Sequence, residues 1–352
     1  MINSDNRYSA ALDPSSRKYI CPRCGKKTFV LYLKDGKPIA DNVGRCDRQD
    51  KCGWHYTPAD YRRDHHTGKP FRPDTSGSSA PSISGGRVWT PPPMEITPPD
   101  YIPPDVVKRT IARDPGGNSL LRYLRKVFEP LTGAEVVERA AVSLGVGTAK
   151  QFGGSPVFWQ IDQFGKVRTG KVMGYNPDTG KRIKEPKPLF KWAHKMMTKT
   201  KPDYKLQQCY FGVHRIKGDN PIIWMFESEK TALIALICLM WGRAENIFFP
   251  VACGGCEGLS PAADKFCDVY DKHRIFLNKR VVLFPDVGKF SEWREAARRL
   301  QPYCKEVFIS EILERRPRDT GVNVEFGDDL GDVLIRAAER GKDIASIITT
   351  AY

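Results

Sequence analysis

The sequence predicts an α/β protein: a mainly parallel sheet flanked by helices in the C-terminal part, a small basic α+β region before it, then, towards the N-terminus, a flexible linker and a cysteine-paired module. Three observations carry this. Residues 221–226 (PIIWMF) and 281–285 (VVLFP) are continuous apolar runs too short for helices, each ending at an acid, Glu227 and Asp286; runs of that kind read as buried parallel strands. Between them, residues 231–241 (TALIALICLMW) are apolar almost all round a helix, as in a helix covered by a sheet. Near the N-terminus, Cys21, Cys24, Cys46 and Cys52 fall in two pairs ahead of a Gly/Ser/Pro-rich stretch, 66–104, which marks a tethered module.

At 352 residues the chain has material for two or three domains. Its formal charge of +15 points to an anionic partner, nucleic acid or a phosphorylated substrate. Ten cysteines are too few for a disulfide scaffold and suit a reducing compartment. The opening MINSDNRYSAAL has no apolar signal core, and the longest apolar run, 232–241, is about half a membrane span. The expectation is a soluble cytoplasmic protein with no membrane segment.

CPRCG, residues 21–25, is a metal-binding knuckle, in which Gly25 permits the tight turn that aims both thiolates at one ion. Residues 28–44 alternate apolar and polar around Asp35-Gly36, the pattern of a hairpin. A hairpin between two Cys pairs reads as a zinc ribbon over residues 1–65, with Zn2+ held by Cys21, Cys24, Cys46 and Cys52. His55 is an alternative to Cys52 as fourth ligand. So small a module buries little apolar surface, so zinc binding is expected to be coupled to its folding. Residues 1–69 carry 14 Lys/Arg against 8 Asp/Glu, with Phe29, Tyr32, Trp54 and Tyr56 interleaved. If exposed, those rings would stack on single-stranded bases; if buried, they fill the ribbon core.

After the linker, residues 105–139 show apolar positions at three- and four-residue spacing and read as two or three short helices, with 140–148 a short extended continuation. Residues 157–175 alternate around Phe164-Gly165 and read as a β-hairpin or meander. Residues 165–171 (GKVRTGK) match the spacing of a P-loop, but Val172 stands where a magnesium-binding Ser/Thr is needed and the segment lies between strands. No ATP-binding loop is assigned. Residues 165–205 hold 12 Lys/Arg against 3 acids. Lys166, Arg168, Lys171, Lys181, Arg182, Lys184 and Lys191 are the candidate nucleic-acid contacts of a basic α+β domain over 105–218.

From residue 219 onward strand and helix alternate. Strand 221–226 delivers Glu227, and Ser228 is placed to cap the following helix. Strand 246–252 ends in CGGC, read as a tight loop rather than a redox pair; strand 281–285 delivers Asp286. Residues 291–300 form an amphipathic helix, 306–309 a fourth strand, and 331–340 a closing helix behind Asp328, Asp329 and Asp332. In open α/β sheets, ligands and metals bind at the carboxyl ends of the strands, where Glu227 and Asp286 stand.

Strand–Glu–helix, strand–Gly-Gly loop and strand–Asp, in that order, resemble the Toprim domain of bacterial-type primases and topoisomerases. ESEKTAL (227–233) is similar to the Toprim EGxxDA stretch, VACGG (251–255) to its glycine loop, and FPDVG (284–288) to its DxD motif. DDLGDVL (328–334) resembles the Asp-x-x-Asp segment that closes a primase Toprim domain. The whole order is primase-like too: ribbon, linker, basic domain, YFG at 210–212, then a Toprim-like domain over 219–352. In particular it resembles zinc-ribbon/Toprim proteins of Bacteroidetes mobile elements.

The resemblance implies catalytic roles for Glu227 and Asp286, joined by Lys230 of the same stretch, and a Mg2+ or Mn2+ site drawn from Glu227, Asp286, Asp329 and Asp332. The chain departs from the pattern at Gly288, where the second DxD aspartate should stand. A protein of this kind would bind single-stranded DNA and nucleotides and synthesise short RNA primers by Mg-dependent nucleotidyl transfer for a mobile element, beside a replicative helicase. The alternatives are a non-catalytic DNA-binding or recruitment factor on a degenerate Toprim scaffold, and a Toprim nuclease.

Overall fold

The computed structural model describes residues 10–22, 26–48, 52, 54–58, 61, 98–111, 113, 115–197, 201–255, 259 and 270–351. The chain divides into two compact units, residues 1–95 and 96–352. Cys24 and the linker as far as residue 97 lie outside the described residues.

The first unit is built on one long strand. Its strands are β1 (Ala10–Leu12), β2 (Tyr19–Ile20), β3 (Lys27–Lys34), β4 (Lys37–Pro38), β5 (Gly44–Cys46) and β6 (His55–Tyr56). β3 pairs antiparallel with β1, β2, β4 and β5, and β5 pairs with β6. The predicted turn is present: Asp35 and Gly36 both take positive φ, 52° and 75°, as a two-residue type I′ turn requires. Phe29 is fully buried in a small core with Cys21, Leu31, Cys46 and Cys52, so it is a core ring rather than a stacking surface.

In the second unit the chain first forms α1 (Pro104–Ile111), α2 (Ser119–Thr132) and α3 (Ala134–Ser143). The buried Asn118 starts α2, its side-chain oxygen accepting from the amides of Leu120 (3.2 Å) and Leu121 (3.1 Å). An antiparallel sheet follows in the order β10-β9-β8-β7, from β7 (Val146–Thr148), β8 (Pro156–Ile161), β9 (Val167–Met173) and β10 (Phe190–Trp192). The expected extended stretch 140–148 is therefore half wrong. Ala140 and Ala141 are small and buried, and α3 continues through them to Ser143. The end of the predicted linker is also structured, since Ile102 is buried and its amide donates to the carbonyl of Val167 at 2.8 Å. After the short helix α4 (His194–Met197) the chain enters the parallel sheet.

That sheet has the order β12-β11-β13-β14, from β11 (Ile222–Phe226), β12 (Phe248–Ala252), β13 (Arg280–Leu283) and β14 (Glu306–Ile309), every pair parallel. The helices between and after its strands are α5 (Glu229–Trp241), α6 (Phe290–Leu300), α7 (Leu330–Glu339) and α8 (Ile344–Thr350). Alternation along β11 fills two cores. Trp224 and Phe226 join α2, α3, α5, α7 and α8 on one face, while Ile223 and Met225 join Trp293 and Leu300 of α6 on the other. The first core also holds Phe158, Met173 and Tyr175, so it runs through both the 105–218 and the 219–352 segments. Among the described residues, no helix is long and apolar enough to cross a membrane.

Trp224 is fully buried, with ring centroids 4.6 Å from Phe248 and 4.9 Å from Phe284. Trp224→Ala should cost about 3–5 kcal/mol of unfolding free energy, read from urea titration, because the cavity lies where two strands and a helix meet. A loss below about 0.5 kcal/mol, the scale of a typical surface change, would show that this core does not hold the sheet.

Candidate functional site

One cleft of about 790 Å³ in the second unit gathers most of the charged residues singled out in the sequence. Its acidic wall grows from strand ends. Glu227 follows directly on β11, and the amide of Gly254, in the loop after β12, donates to the Glu227 carbonyl at 2.9 Å. Asp286 lies just beyond β13. The amide of Val287 donates to the carbonyl of Asp328 at 2.9 Å, which ties the end of β13 to the start of α7 and brings Asp329 and Asp332 to the same opening.

The acids differ in what satisfies them. Glu227 Oε2 is buried without a hydrogen-bond partner among the described residues, its nearest cation being Lys289 Nζ at 3.7 Å. Burial, with the charges of Glu227 and Asp329 nearby, pushes Asp286 up to about 7, against the opposing pull of Lys289. Asp329 is also raised, by burial first and then by Asp332, although Lys230 and the Thr231 hydroxyl favour its charged form. Asp329 and Asp332 form a reciprocal cap on α7. Asp329 Oδ1 accepts from the Asp332 amide at 2.9 Å, and Asp332 Oδ2 from the Asp329 amide at 3.4 Å. Asp329 Oδ2 further accepts from Thr231 at 2.6 Å, and Lys230 Nζ donates to Asp332 Oδ1 at 3.0 Å.

The opposite wall is basic. Lys181, Arg182 and Lys184 are exposed and line the cleft, whereas Arg336 lines it from α7, on the acidic side, and pairs with Asp328. Lys171 lines it too, but its ammonium is 2.9 Å from both oxygens of the buried Glu229. Three of the remaining assignments fall elsewhere. Arg168 is a correction: it is buried in an ion pair with Asp162 at 2.6 Å, donates to the Gln207 carbonyl, and lies over the rings of Tyr101 and Tyr270. It therefore holds the fold and offers no charge to a ligand. Lys166 is exposed in the β8–β9 turn, and Lys191 lines a second pocket. Ser228 stands at the start of α5, but its hydroxyl makes no capping bond.

Gly288 has a physical reason to be glycine. Its φ is +92°, its amide donates to Glu314 Oε2 at 2.9 Å, and a Cβ there would lie 2.3 Å from the Phe326 ring. Sequence reasoning missed Lys289, Thr231 and Arg336 as neighbours of the acids. Only Lys289 had a signal, its place directly after PDVG.

The first unit contains a separate metal centre. Among the described residues, Cys21, Cys46 and Cys52 are the only group bringing three ligand atoms within 4.8 Å of one another, so the cleft carboxylates are more widely spread. The sulfurs of Cys21 and Cys52 are 3.7 Å apart. Four thiolates placed tetrahedrally about 2.3 Å from zinc would stand about 3.8 Å from one another, so the cysteine geometry fits that ion. His55 is outside the cluster, with its Nε2 2.8 Å from the Tyr32 hydroxyl.

A zinc beta-ribbon finger family model matches residues 7–67, and a model described as a domain of unknown function (DUF6371) matches residues 118–287. The ribbon match and the cysteine cluster agree on a zinc-ribbon region at the N-terminus. No curated protein matches the sequence. Among solved structures, the chain is similar to the crystal structure of the primase fragment of the bacteriophage T7 primase-helicase protein, at 15% identity and a TM-score of 0.36, over 61% of this chain and 70% of that one.

Two outcomes test the centres. Cys46→Ser should lower bound zinc, measured by mass spectrometry of metals, from one ion per chain to near none; full occupancy in that variant would remove Cys46 from the site. For Asp286, a carboxyl whose proton affinity is raised on folding binds more protons folded than unfolded. The stability it contributes is present below the ordinary carboxylate value and lost as pH rises through about 7. Asp286→Asn should therefore raise the thermal midpoint more at pH 8 than at pH 5, and equal shifts at both would show that Asp286 is not raised.

Proposed function

We propose that the chain is a primase-like nucleotidyltransferase that binds single-stranded DNA and joins ribonucleotides on it, its second unit serving as a Toprim-like scaffold. One observation carries the reading: Glu227 and Asp286, on neighbouring parallel strand ends, share a single cleft with Lys181, Arg182 and Lys184. The donor set is all oxygen, and Glu227 Oε2 is buried without a hydrogen-bond partner among the described residues, which fits a hard divalent cation such as Mg2+ or Mn2+. Glu227 and Asp286 would hold that ion, which when bound neutralises charge gathering on a transferring phosphate. Asp286 must lose its proton to take part. Lys181, Arg182 and Lys184 would position the phosphates of template and nucleotide, while Lys230 holds Asp332 in place. The zinc ribbon, on its Gly/Ser/Pro-rich tether, would present template.

A second reading is favoured by Gly288 and by the capping bonds that occupy Asp329 and Asp332: a DNA-binding factor without turnover. Labelled ribonucleotides on a single-stranded template separate the two. The catalytic reading expects metal-dependent primers from the wild type and a loss of about 100-fold or more in Glu227→Gln, the scale seen when a stabiliser of transition-state charge is removed. Binding of single-stranded DNA without product, in wild type and variant alike, would establish the second reading. Metal-dependent nicking of a plasmid without nucleotides would replace both with a nuclease.

A further inference from the structure

The antiparallel sheet has a second concavity, on the face turned away from the acidic cleft. Alternate residues of a strand point to opposite sides. Along β9, Lys171 and Met173 line the cleft, whereas Val172 lines a separate pocket of about 220 Å³ beneath α1. Its walls are apolar: Val106, Ala149, Val157, Trp159 and Met196, with Trp192 beside them. Two of the polar groups in the walls, Trp159 and Thr110, are already engaged. Trp159 Nε1 donates to Thr110 Oγ1 at 2.8 Å, and that hydroxyl donates to the Val107 carbonyl at 2.8 Å, so the indole presents its apolar body.

The rim is cationic. Arg109, Lys150 and Lys191 are exposed around it, and Arg113 donates to the Thr148 carbonyl at 2.9 Å. Among the described lining residues there is no acid. Apolar walls inside a ring of positive charge match a flat uncharged ring attached to anionic groups. The volume lies below the roughly 300–1,000 Å³ of sites that enclose a whole drug-sized molecule, so it takes one ring system with the anionic groups left outside.

We propose that this pocket receives one unpaired base of a single-stranded nucleic acid, stacked on Trp192, with the flanking phosphates against Arg109, Lys150 and Lys191. Base–aromatic stacking with cations along the backbone is how single strands are held without sequence reading. The pocket shares no lining residue with the acidic cleft, and it rests on the proposed function only in taking the ligand to be nucleic acid.

Fluorescence anisotropy of the full chain tests it, with oligothymidylate and an abasic oligomer of equal length as probes. Wild type should bind oligothymidylate more tightly than the abasic strand. Trp192→Ala should weaken oligothymidylate by about 5- to 150-fold, the range one base–aromatic stack supports, and leave abasic binding unchanged. Trp192→Phe, which keeps a stacking ring, should stay near wild type. Arg109→Ala with Lys191→Ala should flatten the salt dependence by about 0.7 per cation removed. Equal affinity of wild type for the two oligomers, or of Trp192→Ala and wild type for oligothymidylate, overturns the proposal, as expected if the pocket instead holds an apolar peptide. Trp192-dependent binding without primer synthesis would sink the catalytic reading and keep the pocket. Synthesis by a chain whose binding ignores Trp192 would do the reverse.

Discussion

The position of β11 is the constraint from which the site follows. The strand lies between β12 and β13, and both of its faces are core. A slip of one residue would exchange Trp224 and Phe226 with Ile223 and Met225, putting large rings where the α6 face has no room for them. Its register is therefore fixed by packing on two sides, and the first residue beyond it, Glu227, can stand in one place only. β13 is pinned to β11 residue by residue, from Ile222↔Arg280 to Met225↔Leu283, so the chain leaves it beside Glu227. Apolar packing thus sets where the charges go.

Bringing carboxylates together in a half-buried opening is unfavourable unless something compensates, and the cleft shows three separate compensations. Asp329 and Asp332 are absorbed into the cap of α7, where amide donors and the helix dipole favour negative charge. Glu229 is neutralised by Lys171 from the antiparallel sheet. Among the described residues Glu227 and Asp286 have only Lys289 as a compensating cation, and burial together with the charge of Glu227 raises the proton affinity of Asp286. The least compensated pair is the one on the neighbouring strand ends.

Much of this was legible in the sequence, and what was not has identifiable causes. The central strand β11 and the helix after it could be read because they are buried on both sides and so are apolar without interruption. The turn at Asp35-Gly36 and the placing of Cys21, Cys46 and Cys52 are local signals that tertiary packing did not override. Residues 140–143 misled because small apolar residues fit a strand or a buried helix equally well, and contact with α5 decides. Arg168 misled for a different reason. Its partners Asp162, Tyr101, Tyr270 and Gln207 are scattered along the chain, and nothing in a run of basic residues marks which one turns inward. The Asp329–Asp332 cap had the spacing of a capping box in plain view, but the same two residues also fitted a metal-binding reading.

The core that passes from the antiparallel sheet into the parallel one bears on how the cleft behaves. Its basic wall is mounted on one sheet and its acidic wall on the other, and the packing between them, from Phe158 and Tyr175 to Phe226 and Leu233, is continuous. Bistable jaws need a sparse seam along which two bodies can part; a close-packed interior instead resists any change in spacing. The gap between positive and negative walls is thus a built-in ruler. On the proposed reading, template and nucleotide would meet a cleft whose width is set beforehand by the core rather than by closure around them.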